Sequence, residues 1–191
     1  MTSAITFLEH TVPSNLIKVF QDQARQKMQA EKWTGRNIEV KLANFVHCWI
    51  TEEAFKQLLI QRNIWFRYRG LYFGDAQGAG ADFIVKINGI ETSIGLRSIA
   101  PESLNRWKTV AYPDDRFRLE KEKIADYHIV CNHTDGHTQF FGCISKQHLL
   151  TELEQSERKY SKINQEYFRI ISLEKFTLHA MIELLEKMDK I

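Results

Sequence analysis

The chain has 191 residues, 43% hydrophobic and 12% aromatic, with only 9 Gly and 3 Pro. That composition excludes wholesale disorder, a collagen-like repeat and an all-coiled-coil chain, and no apolar run approaches the ~20 residues a bilayer-crossing helix needs. With 26 Lys+Arg against 24 Asp+Glu and a formal net charge of +2, any argument for a polyanionic partner must rest on a local patch.

In chain order, residues 14–33 read as an amphipathic helix. Ser14 follows Pro13 as N-cap, Leu16, Val19, Phe20, Ala24 and Met28 share one face, and Gly35 is the stop signal. A second helical pattern runs through Ile38, Leu42, Phe45, Val46 and Trp49, and Thr51 reads as the cap of a third helix through Leu59. The period then changes. Residues 64–69, IWFRYR, alternate apolar and basic as a strand does, and residues 70–80 hold four of the nine glycines. Two strands, 82–87 and 90–98, flank Asn88-Gly89, the dipeptide best suited to a type I′ hairpin turn.

Pro101 suits the first turn of a helix through Trp107, and Tyr112-Pro113-Asp114-Asp115 reads as a break. The charge run 114–123 reads as a solvated face. Strands are expected at 126–131 and 139–144 around an Asp135-Gly136 turn, then a helix at 146–155, a strand at 167–171 and a closing helix at 173–188. A meander, a crossover helix and further strands describe an α/β sandwich with a mixed central sheet flanked by helices. The length fits one domain. Within it, 1–35 is an N-terminal helical extension, 37–150 the core and 151–191 a C-terminal strand and helix. The apolar stripe of the first helix packs on the domain or forms a homodimer contact.

The meander carries the most informative constellation. Asp82 opens a strand after the glycine-rich segment, and alternation puts Glu91, Ser93, Gly95 and Arg97 on one face of the return strand. An acid, a hydroxyl, a gap and a base on one face suit metal-dependent phosphodiester chemistry, in which carboxylates hold Mg²⁺ and a cation steadies the developing charge. The ordinary readings are a turn aspartate, an ion pair of Arg97 with Glu91 or Asp82, and a strand glycine marking a close approach.

Gly80-Ala81-Asp82-Phe83-Ile84-Val85, the hairpin, and Ile94-Gly95-Leu96-Arg97-Ser98 resemble the PD-(D/E)XK, or restriction-endonuclease-like, nuclease superfamily. The order of elements over about residues 37–150 is similar as well. The resemblance implies a restriction-endonuclease-like fold, Mg²⁺ as cofactor, DNA as partner and Asp82 as the metal-binding aspartate. Where the family reads Glu-x-Lys, this chain reads Gly95-Leu96-Arg97. Arg97 then carries over only as a cation, since a guanidinium does not readily transfer protons. Some members of the superfamily recruit the second carboxylate from a helix, and Glu39 and Glu102 are the candidates here. The competing expectation is a catalytically degenerate module of the same fold that binds nucleic acid or a protein partner.

Two further clusters stand out. Trp65, Arg67 and Arg69 share a strand face, and with Lys86 they form the expected nucleic-acid surface; the alternative is basic side chains lying over aromatics on a half-exposed strand. Cys131, His133, His137 and Cys143 surround one hairpin at a spacing zinc accepts, but the two cysteines sit in apolar strand contexts that favour small buried hydrophobes. Three cysteines at wide spacing with no CxxC, and no secretory pattern at the N-terminus, suit reduced thiols in a cytoplasmic protein outside any membrane.

Overall fold

A computed structural model describes residues 8–30, 38–70, 81–134, 136–162 and 166–191. The Gly35 helix stop, most of the glycine-rich segment and Asp135 lie outside the described residues.

Helix α1 (Ser14–Ala30) packs along α2 (Ile38–Gln61). The sequence suggested two helices in place of α2, split at Thr51. Thr51 is instead buried, and its hydroxyl donates to the Cys48 carbonyl at 2.8 Å, a bond within a continuous helix rather than a cap. Burial explains the continuity: Trp49, Ile50, Ala54, Phe55, Leu58 and Leu59 all enter the core, so both apolar patterns belong to one rod.

Six strands form a mixed sheet in the order β1-β7-β6-β4-β3-β2. They are β1 (Leu8–Thr11), β2 (Phe66–Tyr68), β3 (Phe83–Ile87), β4 (Ile90–Ser98), β6 (Tyr127–Thr134) and β7 (His137–Ser145). The β3–β4 turn is the expected one, with φ of 52° at Asn88 and 77° at Gly89. Its two N–H groups donate to the Asp189 carboxylate at 2.9 and 2.7 Å, so the C-terminus clamps the hairpin. All neighbours are antiparallel except β4 and β6. A parallel pair requires a long crossover. This one contains α3 (Pro101–Trp107), β5 (Thr109–Pro113) and α4 (Asp114–Leu119).

That crossover departs most from the sequence reading. β5 joins β8 (Arg158–Ser161) and β9 (Glu166–Ser172) in a second sheet, ordered β5-β9-β8. The break expected at 112–115 holds the end of β5 and the start of α4. Asp114 is fully buried rather than solvated. Its carboxylate accepts from Arg169 Nε at 2.6 Å and Arg158 Nε at 2.7 Å, with Arg118 at 3.7 Å. Burial acts most strongly and pushes this carboxyl up, but the hydrogen bonds and charges of Arg169 and Arg158 outweigh it and hold it below the usual range. Arg169 also donates to the Leu153 and Ser156 carbonyls at 2.9 Å, tying the end of α5 (Lys146–Gln155) to the second sheet.

The six-stranded sheet is covered on both faces, and the central strands β6 and β7 are accordingly buried in continuous runs. Phe83, Val85, Ile94, Ile129 and Cys131 join α1, α2 and α6 (Leu178–Lys187) in one core. Val130, Phe141 and Ile144 join α5 and the second sheet in the other. The closing helix begins at Leu178, where Thr177 accepts from the Ala180 N–H; the residues before it form a short 3-10 turn. No helix among the described residues is long and apolar enough to cross a membrane.

Candidate functional site

Pairing registers place the site. Arg69 N–H donates to the Asp82 carbonyl, Asp82 N–H to the Ile94 carbonyl, and the parallel ladder sets Gly95 beside His128. Arg69, Asp82, Gly95 and His128 therefore form one row across four strands, on the face turned toward the second sheet. The Asp82 side chain is fixed: Oδ2 accepts the Leu96 N–H at 2.7 Å, and Arg69 Nη2 lies 3.6 Å from Oδ1. From the far side of the sheet, α2 adds Cys48 and Glu52, one helical turn apart. All of these line a cavity of about 260 Å³.

Glu52 Oε2 accepts the Tyr68 hydroxyl at 2.7 Å. Burial first, then the Glu52 charge, pushes the Tyr68 hydroxyl well above its ordinary range, so it stays a proton donor. Arg97 lies over Tyr112, its Cζ 4.1 Å from the ring centroid, and both border the cavity. Burial works against its charge most, but Tyr112 and Asp82 more than compensate, and Arg97 remains a cation. His128 behaves oppositely. Burial, reinforced by the Arg97 charge, holds it well below its ordinary value, so it is neutral at pH 7. The Tyr112 hydroxyl sits 3.0 Å from each of its ring nitrogens. The cavity lining carries the cations Arg69, Arg97, Arg116 and Lys123 and the carboxylates Glu52 and Asp82; Arg116 and Lys123 also pair with Glu120 at 3.4 and 3.0 Å. Such a lining attracts an anion and retains oxygen ligands for a hard cation.

Of the residues expected from sequence, Asp82 and Arg97 meet at this cavity, with Arg69 beside them. Glu39 does not. It sits exposed in the first turn of α2, thirteen residues before Glu52 and about 20 Å away along the axis at 1.5 Å per residue. Glu102 lies on α3, at a neighbouring cavity of about 640 Å³ that Arg97 and Cys48 also border. Glu52 went unnoticed because a helix beginning at Thr51 makes it an exposed first-turn residue. In one continuous α2 it instead follows Cys48 at i+4. His128 was missed because only the β4–β6 register brings it to Gly95. A Cβ on Gly95 would stand 3.0 Å from His128 Nδ1 and 3.1 Å from Cε1. The imidazole fills the space beside the place where the resembled motif carries its acid.

The basic segment contributes only Phe66–Tyr68 to the sheet, and its charges are engaged. Arg67 makes a two-point ion pair with Glu91 at 3.1 and 3.2 Å, and Lys86 Nζ lies 4.2 Å from the Trp65 ring centroid. Cys131 and Cys143 lie in the helix-side core, where burial pushes both thiols up, Cys143 to about 12. His133 bonds Thr138 at 3.0 Å, and His137 faces Glu9 at 3.1 Å. No protein-family model matches the chain, and no curated protein matches it.

Proposed function

We propose that the chain is a restriction-endonuclease-like protein that cleaves nucleic-acid phosphodiesters, DNA first among them, with a divalent metal at Asp82. The order of elements supports this: α2, an antiparallel β2–β3–β4 meander, a crossover, then β6 parallel to β4. One observation carries it. Glu52 from α2 and Asp82 at the head of β3 line the same small cavity, with Arg97 at the motif's basic position. Glu52 thereby takes the place in the reading that Glu39 and Glu102 held.

The residues fit Mg²⁺, which is held by one or two carboxylates together with substrate phosphates and water. Asp82 accepts from Leu96 and pairs with Arg69, and Glu52 accepts from Tyr68, so both carboxylates are held in place at the cavity. Asp82 and Glu52 would hold the ion, which when bound polarises the phosphate and activates water. Arg97, held over Tyr112 and permanently charged, contacts the phosphate and stabilises developing charge. Neutral His128 keeps Tyr112 in place beneath it. Free thiols at Cys48, Cys131 and Cys143 suit the reducing cytoplasm. The test is fragmentation of long DNA in Mg²⁺ or Mn²⁺, compared with EDTA, Asp82→Asn and Glu52→Gln.

The Gly95–His128 packing favours a second reading. It leaves no room for the motif acid, as expected of a module that kept the phosphate site and lost hydrolysis. That module binds nucleic acid without metal, with affinity that falls steeply as salt rises.

A further inference from the structure

Arg97 borders three adjoining cavities. Beyond the small one at Asp82 and the one at Glu102, a third of about 1000 Å³ opens between the end of β4 and the second sheet. Its character differs from that of the phosphate site. Leu96, Ile99, Val110, Phe168 and Ile170 line it, and Trp107 stands at it with 61% of its surface exposed. Trp107 ends α3, where Lys108 turns the chain with φ of 48°. Arg97 Nε and Ser98 Oγ, of residues that border both this groove and the cavity at Glu102, are buried without hydrogen-bond partners among the described residues. Buried polar atoms in native proteins rarely go unpaired.

We propose that this groove holds unstacked bases, and that the substrate is single-stranded nucleic acid. The inference rests on the phosphodiester reading of the Asp82 site. A strand with a phosphate at Arg97 must run its neighbouring nucleotides along the groove. The apolar residues and Trp107 suit the flat faces of bases, while Lys159, Ser98 and Ser156 in the same lining suit the sugar and phosphate of a single strand. In a duplex those faces are stacked inside and cannot reach it. A base edge at Ser98 Oγ and a phosphate oxygen at Arg97 Nε would give these two atoms partners. The volume fits a ligand of one or two nucleotides, within the ~300–1,000 Å³ typical of small-molecule sites.

The experiment is fluorescence anisotropy in EDTA, which blocks cleavage. It compares an oligothymidylate of about a dozen nucleotides, within the usual site size for single-strand binders, with a duplex of equal length. The single strand is expected to bind about tenfold more tightly, and Trp107→Ala to lose about tenfold of that affinity, as for one stacked base. Trp107→Phe, which keeps an aromatic face, should retain most of it. Trp107 is exposed, so the alanine variant keeps the fold, and a thermal melt verifies this. Duplex binding that equals or exceeds single-strand binding overturns the inference and leaves the phosphodiester reading standing. So does a Trp107→Ala variant that binds like wild type. Binding of neither form overturns the inference, and the phosphodiester reading is then decided by its own cleavage assay in metal.

Discussion

Gly95→Ala tests the packing logic of the site. The added Cβ would stand 3.0 and 3.1 Å from two atoms of the His128 ring and 3.4 Å from the Ala125 Cβ. His128 is 3% exposed, and the fully buried Tyr112 hydroxyl holds its ring nitrogens. The ring therefore cannot swing aside as a surface chain would. Overpacking of this kind costs about 1–3 kcal/mol. Replacing glycine also removes freedom from the unfolded chain, which offsets about 0.4–1 kcal/mol. At the middle of both ranges the net expectation is a loss of about 1.3 kcal/mol, or about 3–5 °C in melting temperature for a chain of this size. Urea unfolding of a double-mutant cycle with His128→Ala reads it directly. In the His128→Ala background the clash is gone, so Gly95→Ala should become neutral or stabilising. Gly95→Ala as stable as wild type with His128 in place would refute the reasoning.

Three other expectations concern acid, backbone and charge. Asp114 is held below the ordinary carboxylate range by Arg169 and Arg158, so its stabilisation is complete at neutral pH. It is lost as pH falls below the unfolded value of about 4 toward the lower folded one. Asp114→Asn should cost about 3 kcal/mol at pH 7 and flatten the acid limb of the stability profile, as read by urea titration from pH 7 to pH 3. Gly142→Ala should cost about 3 kcal/mol, the upper end of overpacking. Its Cβ would clash with the Thr177 carbonyl carbon, where Cys143 and Thr177 exchange backbone hydrogen bonds at 3.2 and 3.3 Å. Denaturant midpoints check this. Finally, Glu52→Gln should abolish metal-dependent cleavage, whereas Glu39→Gln, about 20 Å along the helix, should cleave like wild type in a side-by-side assay.

What the sequence revealed depended on how local the determining interaction was. Asn88 and Gly89 specify their turn by their own backbone preferences, so the strands at 83–87 and 90–98 fell where expected and put Gly95 and Arg97 on one face. Asp114 looked solvated because its partners Arg158 and Arg169 lie 44 and 55 residues away. The second sheet was hidden likewise: β5 is five residues long, ends in proline, and pairs with β9, from Thr109 with Ser172 to Pro113 with Phe168, far along the chain. At the site, Asp82 and Arg97 were legible because strand alternation carries them. Glu52 required knowing that α2 is unbroken. His128 required the parallel register of β4 and β6, which no local pattern encodes.

The central claim, that Asp82 and Glu52 form one metal-dependent phosphodiester site, is tested most directly by one comparison. Wild type, Asp82→Asn and Glu52→Gln, each verified as folded, are incubated with long single- and double-stranded DNA in Mg²⁺, Mn²⁺ or EDTA. The account expects fragments from wild type in either metal, and none in EDTA or from either variant. Metal-dependent fragmentation that persists in Asp82→Asn would contradict it, and so would intact DNA from wild type under every condition.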